Sequence, residues 1–167
     1  MGLEPEERPV VADGAPDNPV MRPYTQSLPL ALLRARESVM SRLRPVLRDH
    51  DVTEQQWRTL RTLAEVGEVE VTMLAGLICL LPSSLSRILR DLAGRGLIQR
   101  RTSEEDMRRG LVSILPAGLD LIRRVSPKAA GANLAIEMQF GAARLAALKV
   151  ELGALCEILG GGEPGED

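Results

Sequence analysis

Aromatic residues are nearly missing from this chain of 167 residues, which has one tryptophan, one tyrosine and one phenylalanine. Its core must therefore be built from leucine, alanine, valine and isoleucine, which favours helices packed through aliphatic side chains. Cysteine and histidine are as scarce. Cys79 and Cys156 form no CxxC pair, and His50 stands alone. A zinc site needs about four ligands, or three and a water, so these residue types cannot build a closed one. The cysteines point to a reducing cytosol. Both sit among apolar neighbours and are expected to be buried small hydrophobes.

Long apolar runs are absent too. None approaches the roughly 18–20 residues that span a bilayer, so no membrane association is expected. The start, MGLEPEERPVV, is acidic and without an apolar stretch, so it does not read as a secretory signal. There is no GxSxG elbow and no GxxxxGK[ST] loop, and Ser83 and Ser84 have no histidine motif nearby. An enzyme is not expected, and no cofactor is implied.

Of 21 basic residues only Lys128 and Lys149 are lysines. Arginine suits bidentate recognition of phosphate and guanine, although a GC-rich genome also writes it by default. The net charge of −2 argues at first against nucleic acid, but the charge is uneven. Residues 1–23 hold five acids and two bases, and residues 160–167 hold three acids and no base. Between Tyr24 and Leu159 there remain 15 acids against 19 bases, a balance of +4.

Residues 1–27 carry five of the 11 prolines and no apolar period, which reads as a disordered tail. Apolar residues at helical spacing then predict a first helix from Leu28 to about His50. Thr53 opens the next helix, with Gln56 three residues on in a capping-box arrangement, and Gly67 stops it. A short helix is expected at about Val71–Leu80. Pro82 begins another, with Leu85, Ile88, Leu89 and Leu92 on its apolar face, and Gly94 and Gly96 end it. Two short apolar segments around the turn MRRG read as a hairpin. Pro116 and Gly118 introduce a long helical region that Pro127 should bend or restart. A last helix, about Ala142–Leu159, has Leu145, Leu148, Leu152, Leu155 and Leu159 at heptad spacing.

In the helix after Pro82 the outward face carries Ser83, Ser86, Arg87 and Arg90, with Ser84 on the flank. Small hydroxyls come first and arginines after. Such a helix can put its first turn against base edges in the major groove, though an ordinary solvated face has the same composition. The hairpin sharpens the reading. Its turn sets Arg108 and Arg109 at a tip, and Asp106 stands where it could pin the Arg108 guanidinium by a bidentate pair. An oriented arginine on a thin hairpin suits the narrow, electronegative minor groove. The fold expected is mainly α with a small β-wing, a winged helix-turn-helix over about Thr53–Gly118.

The segment DMRRGLVSILPAG resembles the wing of the MarR family of regulators. LPLALLRARESVMSRLRPVLRDHDVTEQQWRTLR, Leu28 to Arg61, resembles the first two helices of the branch that represses homoprotocatechuate (aromatic acid) degradation genes. The likeness runs from about Leu28 to Leu159 and includes QFGAARLAAL. It departs at VTMLAGLICLL, which has no basic residue where relatives often have polar or basic ones. The resemblance implies a repressor of double-stranded DNA. It assigns DNA contact to Ser83, Ser84, Ser86, Arg87 and Arg90, puts Arg108 in the minor groove beside Arg109, and makes Asp106 the orienter.

The helices outside the winged domain leave apolar seams open in a single chain. Pairing two chains would bury them and set two recognition helices about one DNA turn, ~34 Å, apart; the resemblance also implies a homodimer. The layout expected is a tail over residues 1–27, a dimerisation helix over 28–50, the winged domain over 51–118, dimerisation helices over 119–159 and a flexible tail over 160–167. On the first helix Arg36 falls among Leu32, Val39, Met40 and Leu43, and a buried arginine needs a partner. That partner is either a structural acid or the carboxylate of an aromatic acid, with Met40 nearby, Trp57 stacking on the ring and Arg61 or His50 assisting. The resemblance implies a ligand such as 4-hydroxyphenylacetate or homoprotocatechuate. The rivals are a redox-sensing regulator of the same fold and, in other classes, a helical adaptor or an enzyme.

Overall fold

Helices begin where the sequence offers caps. The computed structural model describes residues 23–104 and 106–160; the tails expected at the two ends lie, for residues 1–22 and 161–167, outside the described residues. The chain divides into two compact units, residues 1–37 and 38–167. In the first, a 3-10 turn at Tyr24–Gln26 takes up part of the expected tail. The helix α1 (Leu28–Arg48) contributes residues to both units.

In the second unit, Thr53 caps α2 (Glu54–Val66) by the expected reciprocal pair. Its hydroxyl accepts from the Gln56 amide at 3.2 Å, and its own N–H donates to Gln56 Oε1 at 3.0 Å. Next come β1 (Val69–Glu70), α3 (Val71–Leu77) and α4 (Pro82–Gly94). Gly96, at φ +66°, turns the chain into β2 (Ile98–Thr102), which pairs antiparallel with β3 (Gly110–Ile114). The strand β1 adds to the other edge of β3 through Val69–Val112 and Glu70–Leu111. The sheet thus has three strands, where the sequence showed two. The helices α5 (Pro116–Phe140) and α6 (Ala142–Ile158) complete the order.

The core is aliphatic. Leu60, Leu63, Leu74, Leu85, Leu89, Leu92, Val112 and Val125 have no exposed surface, and Trp57 packs partly buried against them. Each buried leucine contributes about 1.5–3 kcal/mol of transfer free energy. The stripe Leu85–Leu89–Leu92 therefore fixes which face of α4 turns inward and which remains for a partner.

Three expectations about local structure are corrected. The helix α5 does not restart at Pro127, and runs as one element from Pro116 to Phe140. Proline removes one ladder hydrogen bond there, but Val125 and Ala129 on either side are buried and their packing holds the helix. The cysteines are exposed, not buried. The helix α3 ends at Leu77, three residues short of the expected Leu80, and the left-handed backbone at Cys79 (φ +50°) turns its thiol outward while Ile78 goes inward. Cys156 lies on α6, which buries none of its residues. Leu148, Leu152 and Leu159 of the heptad seam are accordingly exposed in the single chain.

No single helix among the described residues is long and apolar enough to cross a membrane.

Candidate functional site

Pro82 in the first turn of α4 needs no hydrogen-bond partner for a backbone N–H, and Ser83 and Ser84 follow it, both exposed. Ser86 differs from them. Its hydroxyl donates to the Pro82 carbonyl at 3.0 Å, so it is already engaged within the helix. Arg87 and Arg90 are exposed, and no carboxylate among the described residues pairs with either. Two contacts seat α4 and α3 on α2. The buried Gln56 donates its side-chain amide to the Asp91 carboxylate, and Arg58 donates to the Ile78 carbonyl at 2.6 Å. The helices α3 and α4 are thus tied to α2 by part-buried polar bonds.

In the wing, carboxylates sort the arginines into two sets. Glu68, just before β1, takes Arg101 of β2 as a bidentate pair, with Nε to Oε1 at 2.8 Å. Glu70 lies 3.9 Å from Arg109 and also accepts from the Thr72 hydroxyl at 2.9 Å. Arg100 and Arg108 have no such acid among the described residues.

Asp106 does not pin the Arg108 guanidinium as the spacing suggested. Its Oδ1 accepts from the Arg108 backbone N–H at 2.9 Å, and its Oδ2 lies 3.5 Å from Arg109 Nε. The reason is the tight curl of the loop, in which the Arg109 N–H donates to the Asp106 carbonyl at 2.9 Å and brings the Arg109 side chain back over the aspartate. Asp106 therefore orients the loop, Arg109 is a strut between two acids, and the Arg108 side chain is left for a partner.

The hydrogen bonds from Arg101 hold the Glu68 carboxyl below the ordinary glutamate value of 4.5. A carboxylate with a lowered folded-state value stabilises the fold above its unfolded value and loses that contribution as pH falls through the folded one. Glu68→Gln is therefore expected to lower Tm by a constant small amount at neutral pH, with the gap to wild type closing below about pH 4.5. Paired thermal melts over that range test this, and a gap that persists unchanged in acid contradicts it.

The residues expected to hold a small acid are only partly brought together. Trp57 on α2 is partly buried, and Arg61, one turn on, sets its guanidinium 5.9 Å from the indole centroid. Arg61 also meets Glu65 at 3.3 Å and Ser126 of α5 at 3.5 Å. Met40 is partly exposed on α1, and His50 Nε2 is shut from solvent with no hydrogen bond among the described residues. Arg36 belongs to the other unit, and the expectation that it is buried is corrected. Its side chain is 46% exposed and pairs with Glu37 at 2.7 Å, so the acid that meets it is its chain neighbour and the guanidinium keeps access to solvent.

Sequence reasoning missed Glu68, Glu70 and the Gln56–Asp91 bond. The alternation GEVEV carried a signal for the first two, since acids two residues apart on extended chain share a side. Gln56 and Asp91 are 35 residues apart, and no local pattern joins them.

A model of the MarR family matches residues 52–109. The chain is 39% identical over 119 residues to the homoprotocatechuate degradative operon repressor of Escherichia coli, spanning 71% of this chain and 80% of that protein. It is 34% identical over 132 residues to the HTH-type transcriptional regulator FarR of Neisseria gonorrhoeae, spanning 79% and 90%. Among solved structures, NadR in complex with 4-hydroxyphenylacetate is similar with a TM-score of 0.72 and 33% identity, over 83% of this chain and 98% of that one.

Proposed function

Because the chain belongs to the MarR family of transcriptional regulators, we propose that it is a repressor that binds a palindromic operator as a homodimer and leaves it when an aromatic carboxylic acid binds. The relatives named above are regulators of transcription or of an operon, not enzymes. The observation that carries the DNA reading is the sorting of arginines. Arg101 and Arg109 of the wing are paired with Glu68, Glu70 and Asp106, whereas Arg87, Arg90, Arg100 and Arg108 meet no carboxylate among the described residues. A fold that pairs some cations and leaves others open on one helix and its wing is suited to a polyanion. In this reading the start of α4, with Ser83 and Ser84, enters the major groove and Arg108 the minor groove. The exposed leucines of α6 and the apolar start of α1 pair with a second copy.

For the ligand, the support is the Trp57–Arg61 pair together with the 4-hydroxyphenylacetate bound by NadR. An indole face can take an aromatic ring, and the guanidinium beside it can take a carboxylate. Glu65 occupies that guanidinium at the surface, and an exposed pair of this kind is worth only about 0–1 kcal/mol. A ligand carboxylate can therefore replace it at small cost. The acid lowers operator affinity to the extent that it binds the DNA-free conformation more tightly than the DNA-bound one.

The test is a melt of wild type and Arg61→Met with 4-hydroxyphenylacetate, homoprotocatechuate and benzoate. At 100 times its Kd a ligand adds roughly 2.7 kcal/mol of stability, so a clear rise in Tm is expected for wild type. The variant should show none while still binding DNA. No rise with any acid sinks the ligand reading.

A further inference from the structure

Beside the recognition helix runs a groove that base reading leaves unused. It lies between the start of α2 and the length of α4 and has a volume of about 860 Å³. Thr53 and Gln55 form one wall, and Ser84, Arg87, Arg90 and Arg95 the other. Its charge is positive on balance, with three arginines against one acid in its lining. Asp91, that acid, accepts from the Gln56 amide and keeps its charge, and the neighbouring Glu54 is turned to Arg44. Arg95 gives one Nη to the Asp51 carbonyl at 2.8 Å and keeps its remaining N–H groups. Arg87 and Arg90 are exposed and form an ion pair with none of the described carboxylates.

The shape and charge together specify the occupant. The groove is open to solvent rather than enclosed, so it suits a strand laid against it rather than a compact small molecule. Its guanidinium groups call for repeated negative charge. A helix lying in the major groove has a phosphate strand along its side, and about half to two-thirds of protein–DNA hydrogen bonds go to such strands. We propose that this groove seats one sugar-phosphate strand of the duplex. Arg87 and Arg90 bind phosphates rather than bases, and Gln55 completes the seat from α2. Base edges are then left to the first turn of α4. Neither the groove nor Gln55 follows from the sequence pattern, which grouped both arginines with the serines on one outward face. The proposal rests on the DNA reading above.

The experiment is fluorescence anisotropy at several salt concentrations, with the operator and with an unrelated duplex of equal length. The proteins are wild type, Arg87→Ala, Arg90→Ala and Gln55→Glu, each first shown to melt as wild type does. All three variants are expected to weaken both duplexes by the same factor, about tenfold. For each arginine variant the slope of log K against log salt should shrink by about one per arginine removed. A loss confined to the operator makes Arg87 or Arg90 a base reader and overturns the proposal. So does wild-type affinity in Gln55→Glu. Wild-type protein that binds neither duplex overturns the DNA reading itself, and the groove with it.

Discussion

Arg108→Ala is expected to weaken operator binding by about a hundredfold without moving Tm. The Arg108 guanidinium stands at the wing tip with no acid of its own among the described residues, while its backbone N–H is fixed on Asp106 at 2.9 Å. The loop that carries it is closed by the Ser103 N–H to the Arg109 carbonyl at 2.8 Å and by Arg109 between Asp106 and Glu70. The Arg108 backbone is therefore held in place, and the ordering left to binding is that of its side chain as it enters the narrow minor groove. One reading arginine is worth about 1–3 kcal/mol, and a dimer inserts two. Arg108→Lys keeps the charge but loses the planar fork and should fall between. Arg109→Ala removes exposed ion pairs worth at most about 1 kcal/mol and should have a smaller effect. Titrations of the three variants against one operator check the order. Full affinity in Arg108→Ala with loss in Arg109→Ala reverses the assignment.

Gly118→Ala is expected to destabilise the fold by about 3 kcal/mol or more, at the upper end of what overpacking costs. A Cβ at that position would stand 2.4 Å from the Leu97 carbonyl oxygen and 2.7 Å from Ile114 Cγ1. The carbonyl cannot swing aside, since it is backbone and accepts from the Leu115 N–H at 3.0 Å. The start of α5 would have to lift from β2 and β3, taking with it Leu121, Ile122 and Val125 of the core. Gly131 in the same helix is the control, because a Cβ there meets nothing within 4 Å. Gly131→Ala should be neutral or add up to about 1 kcal/mol through helix propensity. Urea denaturation of both variants decides, and a Gly118→Ala midpoint equal to wild type contradicts the close packing described.

These two positions also mark what the residues disclose alone. The Pro116–Gly118 step, the Thr53–Gln56 box and Pro82 are local signals, and each coincides with a helix start in the structure. The stripe Leu85–Leu89–Leu92 is local as well, so the outward face of α4 is legible in the sequence. Features that depend on distant chain were not. The strand β1 has two residues, too few for a period, and exists through its pairing with β3. The partner of Asp106 was misassigned because spacing does not reveal how tightly a loop curls. Arg36 was expected to be buried because helical spacing shows which residues share a face, and cannot show whether anything covers that face. Cys79 was expected inside a helix that in fact ends before it.

The measurement closest to the central claim is an anisotropy titration of the protein against the DNA upstream of its own coding sequence, with and without 4-hydroxyphenylacetate, at several salt concentrations. Binding should be tight at low salt, with a stoichiometry of two chains per site and a steep loss as salt rises. The acid should move the curve to weaker binding in wild type and leave it in place in Arg61→Met. Binding that is absent or indifferent to salt contradicts the DNA-reading site, and a wild-type curve that the acid does not move contradicts its release by an aromatic acid.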